Sequence, residues 1–307
     1  MAHDHAHVHR PDPAVGDRRV LWAVIINLAL TVVQVVAGIA SGSLALIADA
    51  VHNLADAMSL VIAFAARKVA RRPSDGDMTF GYGRVEVVAA LVNYTTLIVI
   101  ALYLASEAVM RFADPPGVEG WIVVAVAGVA LLIDAATALL TWRLSKDSVN
   151  IRAAFLHNLT DALGSLAVIV AGSLILLYDW RLIDPIVTLG IAGYILWLSV
   201  AGIVPVARIL MQASPDGVET DAVCAAIEAV PGVRSVHHLH LWQMDERTAS
   251  LEAHVVLDGG GMGDAARVKD HIRARLQKSF GISHATLETE LPDQGCPDTQ
   301  RIGHADA

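Results

Sequence analysis

Two stretches of the chain repeat one pattern: ADAVHNLAD at residues 48–56 and FLHNLTD at residues 155–161. Each sets a histidine four residues before an aspartate, inside a run of about twenty apolar residues that is long enough to cross a bilayer. Residues four apart share a helix face, so each run offers one imidazole and one carboxylate in the same direction. One copy alone is also typical of an ordinary polar pair inside a bundle, whereas two copies favour a four-ligand metal site within the membrane.

Composition indicates a membrane protein with several spans. Of the 307 residues, 55% are hydrophobic and 17% are charged, and the mean hydropathy is +0.53, as in polytopic membrane proteins. No cleavage-site pattern follows the first apolar run, so we expect that run to be retained as a span. The two cysteines argue against a disulfide framework. The chain is acidic beyond Ala213, which argues against a nucleic-acid partner.

Six apolar runs are predicted to form a transmembrane domain over residues 20–212. They lie at residues 20–41, 43–66, 85–110, 121–142, 151–177 and 183–209. A polar tail, residues 1–19, precedes them and carries the alternating histidines His3, His5, His7 and His9. Such a tract either collects metal loosely or is simply solvated, and the sequence leaves both interpretations open.

Cations in the connecting segments set the orientation of the spans. Arginines and lysines crowd the N-terminal tail, the second-to-third and fourth-to-fifth loops and the exit of the sixth span, whereas the opposite side has Arg111 and Arg181. This bias predicts a lipid-embedded protein with both termini in the cytoplasm. At about 1.5 Å per residue, Asp56 and Asp161 then both lie about 15 Å from the cytoplasmic boundary, near the midplane of a hydrocarbon core about 30 Å thick.

The chain changes character after residue 212 and predicts a small cytoplasmic domain over residues 213–291. The expected elements are a helix at 218–230, strands at 233–244 and 248–257, a helix at 264–280 and a strand at 284–290. This αββαβ order suggests a small sheet with its helices packed on one face. Residues 292–307 are interpreted as a flexible tail.

Charge balance explains how the paired motifs can be buried. The carboxylates of Asp56 and Asp161, the neutral imidazoles of His52 and His157, and one divalent cation together carry no net charge. Four nitrogen and oxygen ligands suit tetrahedral zinc and would also accept cobalt, nickel or ferrous iron. Imidazole must be neutral to bind metal and titrates near physiological pH, so these ligands can exchange metal for protons. The pattern favours metal/proton antiport by alternating access.

Further polar and small residues lie within the spans. Asp49 shares the face of the first motif and is expected to line the access path. Asp134 is either a packed interior carboxyl or a group for proton or ion transfer. Gly38 and Gly42 form a small-xxx-small pair, which predicts close helix packing.

Several motifs resemble those of the cation diffusion facilitator family. They are SLALIADAVHNLAD at residues 43–56, FGYGRVE at 80–86, HNLTD at 157–161 and HLHLW at 238–242. The motifs occur in the family's order, and the resemblance covers about residues 20–290. It implies a homodimeric exporter that moves zinc or a similar divalent ion out of the cytoplasm across the inner membrane, driven by proton influx. It also implies six transmembrane helices and a metallochaperone-like cytoplasmic domain.

The resemblance carries over particular site residues. By motif position the transport ligands are His52, Asp56, His157 and Asp161, and histidine at the first of these positions is associated with zinc. In the cytoplasmic domain it implies a regulatory metal site at His237, His254 and Glu290. Strand alternation sends His238 and His240 to one face and His237 to the other, which leaves His238 and His240 as alternative ligands.

Two departures from the family pattern bear on metal binding. Asp75 could be the acid of a site in the second-to-third loop, but Met78 and Tyr82 occupy its histidine positions, so that site is predicted to be absent. The long histidine-rich loop of many animal members is reduced to residues 144–150.

Two other classes of function compete with a transporter. An intramembrane metalloenzyme would need an open coordination position and a general base, whereas four protein ligands close the shell. A membrane-anchored metal sensor would leave the paired buried ligands unexplained. A secondary transporter, rather than an enzyme, is the preferred interpretation.

Overall fold

The computed structural model describes residues 13–142, 149–259, 262–292, 296 and 300–303. The helices are α1 (Pro13–Ser41), α2 (Leu44–Ala70), α3 (Arg84–Met110), α4 (Gly120–Trp142), α5 (Val149–Tyr178), α6 (Ile183–Leu210), α7 (Thr220–Glu228) and α8 (Met262–Phe280). The strands are β1 (Val233–Gln243), β2 (Ala249–Leu257) and β3 (His284–Glu290). The histidines of the N-terminal tail and the loop between α4 and α5, residues 143–148, lie outside the described residues.

Helices α2 to α6 carry apolar segments of 20 to 28 residues, long enough to cross a bilayer. Lipid offers the backbone no hydrogen-bond partners, so apolar runs of this length fold as helices that satisfy their own peptide groups. The backbone of α1 is helical over 29 residues, and its described side chains form a shorter apolar stretch, Asn27–Ser41. The expected fold class, a helical membrane domain with a small α+β domain, is confirmed, and the sixth span stays a prediction.

Small residues let α1 and α2 approach closely. Gly42 has a φ of +74° in the turn between the two helices, and a Cβ there would lie 2.8 Å from the carbonyl oxygen of Gly117. A Cβ at Gly38 would lie 2.6 Å from Cγ1 of Ile47. The close helix packing expected from this pair is therefore observed at Gly38, whereas Gly42 approaches the loop between α3 and α4.

Helices α4 and α5 pack together through glycines as well. A Cβ at Gly120 would lie 2.6 Å from the carbonyl oxygen of Gly172, and a Cβ at Gly172 would lie 2.9 Å from Cγ1 of Val123. Such backbone-to-backbone contact is the usual way in which helices associate in lipid. This packing fixes α5, the helix that carries the second motif, against α4.

A buried carboxylate joins the start of α6 to the start of α2. Ser43 caps α2, since its Oγ accepts a hydrogen bond of 3.1 Å from the Leu46 amide. Asp184 Oδ1 accepts a bond of 2.5 Å from the Ser43 hydroxyl, and Asp184 Oδ2 accepts one of 2.8 Å from the Leu44 amide. Arg111, the residue that follows α3, lies 3.8 Å from Asp184 and donates to the Gly42 carbonyl at 2.7 Å. The unpaired amides at the N-terminus of α2 are thereby satisfied.

The strands of the cytoplasmic domain form a sheet in the order β1-β2-β3. Strand β2 pairs antiparallel with β1 and parallel with β3, and α8 supplies the crossover that a parallel pair requires. Both helices and the sheet contribute to one core, which includes Val223 and Ile227 of α7, Ile272 and Leu276 of α8, and Leu241, Leu251 and Val255 of the strands.

The C-terminal segment returns to the sheet. Ile302 forms a parallel bridge with Leu239, the Leu239 amide donates to the Arg301 carbonyl at 3.1 Å, and the Gly303 amide donates to the Leu239 carbonyl at 3.3 Å. Residues 300–303 thus extend the edge of β1. At these positions, the segment that the sequence predicts to be a flexible tail has backbone partners at the edge of β1.

Candidate metal centres

Four side chains of α2 and α5 meet inside the helical domain. His52 Nε2 lies 3.3 Å from Asp161 Oδ1 and 3.8 Å from Asp56 Oδ2. His157 Nε2 lies 3.5 Å from Asp56 Oδ2 and 3.5 Å from Asp161 Oδ2. Each imidazole therefore contacts both carboxylates, and the structure brings together all four residues singled out by the two motifs.

Exposure is graded across this group. The Asp161 side chain is 9% exposed and His52 is 15% exposed, whereas Asp56 is 30% and His157 50% exposed. Asp161 and His52 are the most buried side chains of the group, and His157 is the most accessible one. An ion would reach the group from the His157 side.

The group fits a divalent cation. One ligand atom each from His52, Asp56 and Asp161 lies within 4.8 Å of the other two, and His157 contacts both carboxylates at its accessible edge. Asp56 Oδ2 and Asp161 Oδ1 are buried, and the imidazole nitrogens of His52 and His157 lie 3.3 to 3.8 Å from them. Two buried carboxylates close together are costly, and a cation between the two helices would offset their charge.

Tyr194, an aromatic residue of α6, packs against one histidine of this group. The ring of Tyr194 meets the His52 ring edge-on, with centroids 6.2 Å apart and an interplanar angle of 79°. Tyr194 was missed in the sequence because an aromatic residue in an apolar helix is ordinary, and no periodic signal connects it to α2.

A hydrogen-bonded network lies beside the four ligands. Asp49 Oδ2 accepts a bond of 2.8 Å from Gln34, whose side-chain oxygen accepts one of 3.2 Å from Asn53. Ser165 Oγ lies 3.3 Å from both Asp49 and Asp134. Asp49 is 2% exposed, so the expectation that it lines the access path was wrong. Its hydrogen bonds hold it in the interior, and Asp134 is likewise a packed, hydrogen-bonded carboxyl.

A second group of ligands lies in the cytoplasmic domain, where the structure brings together His237, His254 and Glu290. His254 Nδ1 lies 2.6 Å from Glu290 Oε1, and His237 Nε2 lies 3.4 Å from Glu290 Oε2. The three ligand atoms lie within 4.8 Å of one another. Burial opposes ionisation of Glu290, but hydrogen bonds from His254 and the Cys296 amide outweigh it and lower the pKa of the carboxyl. The ionised form of the Glu290 carboxyl is therefore favoured.

Strand alternation breaks down at His238. The pairs His237↔His254 and His240↔Glu252 leave one extra residue on β1, and His238 has a φ of +49°. This bulge turns the buried His238 ring towards His237, with centroids 5.0 Å apart, and towards His254 at 4.9 Å. The expectation that His237 and His238 face opposite sides was therefore wrong.

Asp75, the acid of the loop between the second and third spans, accepts hydrogen bonds from residues of the same loop. Asp75 accepts hydrogen bonds from the Tyr82 hydroxyl at 2.7 Å and from the Met78 amide at 2.9 Å. These bonds lower the pKa of Asp75, and the same contact raises the pKa of Tyr82. The carboxylate that a loop metal site would need already has partners.

Comparison with known proteins relates both parts of the chain to metal efflux. The cation efflux transmembrane domain matches residues 20–211, and the cation efflux protein cytoplasmic domain matches residues 215–291. The zinc transporter ZitB of Pectobacterium atrosepticum is 36% identical, covering 97% of this chain and 91% of that protein.

Two further relatives and one solved structure are similar. The metal cation efflux system protein CzcD of Cupriavidus metallidurans is 34% identical, covering 95% of this chain and 91% of that protein. The cadmium, cobalt and zinc/H(+)-K(+) antiporter of Bacillus subtilis is 30% identical, covering 92% and 91%. The metal-bound C-terminal domain of CzcD is 36% identical over all of that chain and 24% of this one, with a TM-score of 0.23.

These matches define a multi-pass inner-membrane transporter of metal cations with an attached cytoplasmic domain. The chain belongs to the cation diffusion facilitator family, whose transported substrates are zinc and other divalent metals. Members of this family are transporters, which removes the enzyme from the competing classes.

Proposed function

We propose that this protein exports zinc, or a similar divalent ion, from the cytoplasm in exchange for protons by alternating access, with His52, Asp56, His157 and Asp161 as the transport ligands. The observation that carries the proposal is the meeting of two imidazoles and two carboxylates from α2 and α5 at distances of 3.3 to 3.8 Å. The names of the relatives, a zinc transporter and an antiporter with H(+), support the choice of ion and counter-ion.

Exchange follows from the chemistry of the four side chains. A divalent ion needs both imidazoles neutral and both carboxylates ionised, so its arrival releases protons from the group. When the ion leaves, protons restore the charge balance, because two buried carboxylates without a cation are costly in a membrane. Metal and protons thus compete for the same buried group.

The cytoplasmic ligands His237, His254 and Glu290 are proposed as a regulatory metal site. Two imidazoles and a carboxylate suit zinc, and the short contacts of Glu290 support a preorganised site. We further propose that the protein is a homodimer with both termini in the cytoplasm. The match to the family's cytoplasmic domain and the bias of cationic residues support these assignments.

Flux through a sealed bilayer tests the proposal. Purified protein in liposomes with an imposed pH gradient is expected to move zinc, and His157→Ala is expected to abolish the movement. His271→Ala is the matched control, because His271 is an exposed residue of α8 outside both ligand groups. Zinc flux of His157→Ala equal to that of the wild type would refute the ligand assignment.

The same vesicles separate ions and classes. Parallel measurements with cadmium, manganese, iron, cobalt and nickel show which ion the protein transports best. A strict preference for manganese or iron would contradict the assignment of zinc as substrate, but the protein would still be a transporter. A membrane-anchored sensor would show no flux with any ion. A zinc flux that does not depend on the pH gradient would contradict the proposed exchange for protons.

A further inference from the structure

The return of the C-terminal segment brings a thiol to the cytoplasmic histidines. One ligand atom each from His237, His238 and Cys296 lies within 4.8 Å of the other two. Both histidines are 5% exposed, and Cys296 is partly buried. The set is distinct from His237, His254 and Glu290, with which it has His237 in common.

Three contacts tie this arrangement to the C-terminal segment. The Cys296 amide donates a hydrogen bond of 3.1 Å to Glu290 Oε2. The His238 amide donates one of 2.9 Å to the Gln300 carbonyl. Arg301 adds an ion pair of 3.0 Å with Glu228. The segment that carries the thiol therefore also holds the backbone of His238, the residue whose positive φ turns its ring inward.

We propose that Cys296 is a metal ligand, whose thiolate joins His237 and His238 in a sulfur-containing site for a thiophilic divalent ion such as cadmium or zinc. The inference rests on the proposed cytoplasmic metal site and adds to it a soft ligand. Thiolate and imidazole suit zinc and its heavier relative cadmium, whereas carboxylate oxygen suits harder ions. Binding deprotonates the thiol and releases one proton.

Because His237 belongs to both cytoplasmic ligand sets, the two sets together can hold only one ion per chain. A neutral imidazole has one nitrogen lone pair available for metal, so the two sets cannot each hold an ion through His237. They are two ways of holding a single ion, one with the Glu290 carboxylate and one with the Cys296 thiolate. Soft ions are expected on the thiolate set, which docks the C-terminal segment more firmly on β1.

The other cysteine of the chain differs from Cys296. Cys224 lies in the core between α7 and the sheet, is 0% exposed, and belongs to neither ligand set. Burial raises the pKa of the Cys224 thiol, which opposes the thiolate that metal binding requires. Cys224 is therefore the matched control for Cys296.

Cadmium reports sulfur ligation directly through its thiolate charge-transfer absorption in the ultraviolet. Full-length protein in detergent, kept reduced without added thiols, is titrated with cadmium. Wild type and Cys224→Ser are expected to show the band, which saturates when about one cadmium per chain occupies the cytoplasmic site because His237 is shared. Cys296→Ser is expected to lose it. The transport ligands contain no sulfur, so they add nothing to the band.

A second variant tests the histidine of the set. His238→Ala is expected to weaken cadmium binding by about tenfold or more, since even changes outside the ligand shell cost 10–100-fold, and His271→Ala is the control. A band that persists in Cys296→Ser, or is missing from both wild type and Cys224→Ser, overturns the proposal. Missing zinc flux in wild-type liposomes would instead overturn the transport proposal, and the two failures are independent.

Discussion

The proposed intramembrane ligands lie on helices, whereas the proposed cytoplasmic ligands lie on strands. In the membrane, α2 and α5 each contribute a histidine and an aspartate one turn apart, so the regular helix sets the spacing. In the cytoplasmic domain, His237, His254 and Glu290 come from three different strands, and sheet pairing sets the spacing. Two helices can slide past each other and separate the first group, whereas separating the second would require breaking backbone pairing.

The two groups also differ in how their carboxylates are satisfied. Among the described residues, the polar neighbours of Asp56 Oδ2 and Asp161 Oδ1 are the imidazoles of His52 and His157, at 3.3 to 3.8 Å. Glu290 receives a short contact from His254 and a hydrogen bond from the Cys296 amide. The carboxylates of the membrane group therefore pair with the imidazoles of their own group, whereas the Glu290 carboxylate also has a backbone amide as a partner.

The largest expected effect breaks the charge balance of the membrane group. Asp161→Asn leaves the bound cation with one carboxylate too few, and an uncompensated buried charge costs about 3–5 kcal/mol. At about 1.4 kcal/mol per tenfold, zinc flux in proteoliposomes is expected to fall by roughly 100-fold or more. Flux within a few-fold of the wild type would show that Asp161 is not a ligand.

A smaller effect is expected in the cytoplasmic group. Glu290→Gln keeps the shape and loses the charge, and water can replace the lost ligand, so zinc affinity is expected to fall by about 10–100-fold. Competition with a fluorescent chelator, in protein that also carries Asp161→Asn, measures this site without the transport site. An unchanged affinity would remove Glu290 from the ligand set.

Packing around α5 provides a third test of the comparison, since α5 carries half of the membrane group. Gly172→Ala forces a Cβ to 2.9 Å from Val123 Cγ1, and overpacking of this kind costs about 1–3 kcal/mol. Thermal unfolding in detergent is expected to begin at a lower temperature. Gly128→Ala on α4 is the control, because a Cβ there meets nothing within 4 Å, and equal losses in both variants would contradict the packing argument.

The smallest effect concerns Asp75, a carboxylate that a loop residue already satisfies. Tyr82→Phe removes a hydrogen bond that lowers the pKa of Asp75, so this pKa should rise towards its ordinary value. The lowered pKa stabilises the folded loop at pH above the ordinary value, and this contribution is lost as the pH falls through the lowered one. Carbon-13 carboxyl titration by NMR measures the shift, with Asp179, whose pKa is lowered by Arg181, as an internal reference. An Asp75 pKa that is the same in Tyr82→Phe and in the wild type would contradict the role given to this hydrogen bond.

Local patterns in the sequence were enough for the parts of the molecule that local patterns control. Hydropathy located the apolar helices, and the four-residue spacing paired His52 with Asp56 and His157 with Asp161. The alternation of turn signals and strand-like runs also gave the αββαβ order of the cytoplasmic domain.

Contacts between distant parts of the chain could not be predicted from the sequence. The inward turn of His238 depends on a bulge, and the docking of residues 300–303 depends on a free strand edge. Asp49 lies on the expected helix face, yet Gln34 and Ser165 hold it in the interior. Each of these outcomes was decided by partners from other elements, which no single window of sequence contains.

The carboxylate of Asp184 joins three helix ends, which has a consequence for the proposed transport cycle. It binds the Ser43 hydroxyl and the Leu44 amide, so the start of α6 is fastened to the start of α2. Arg111 draws the end of α3 to the same point. The three helix ends are therefore joined at one point, and if these contacts persist, the alternating access proposed above would move the opposite ends of the helices or shift α5 against α2.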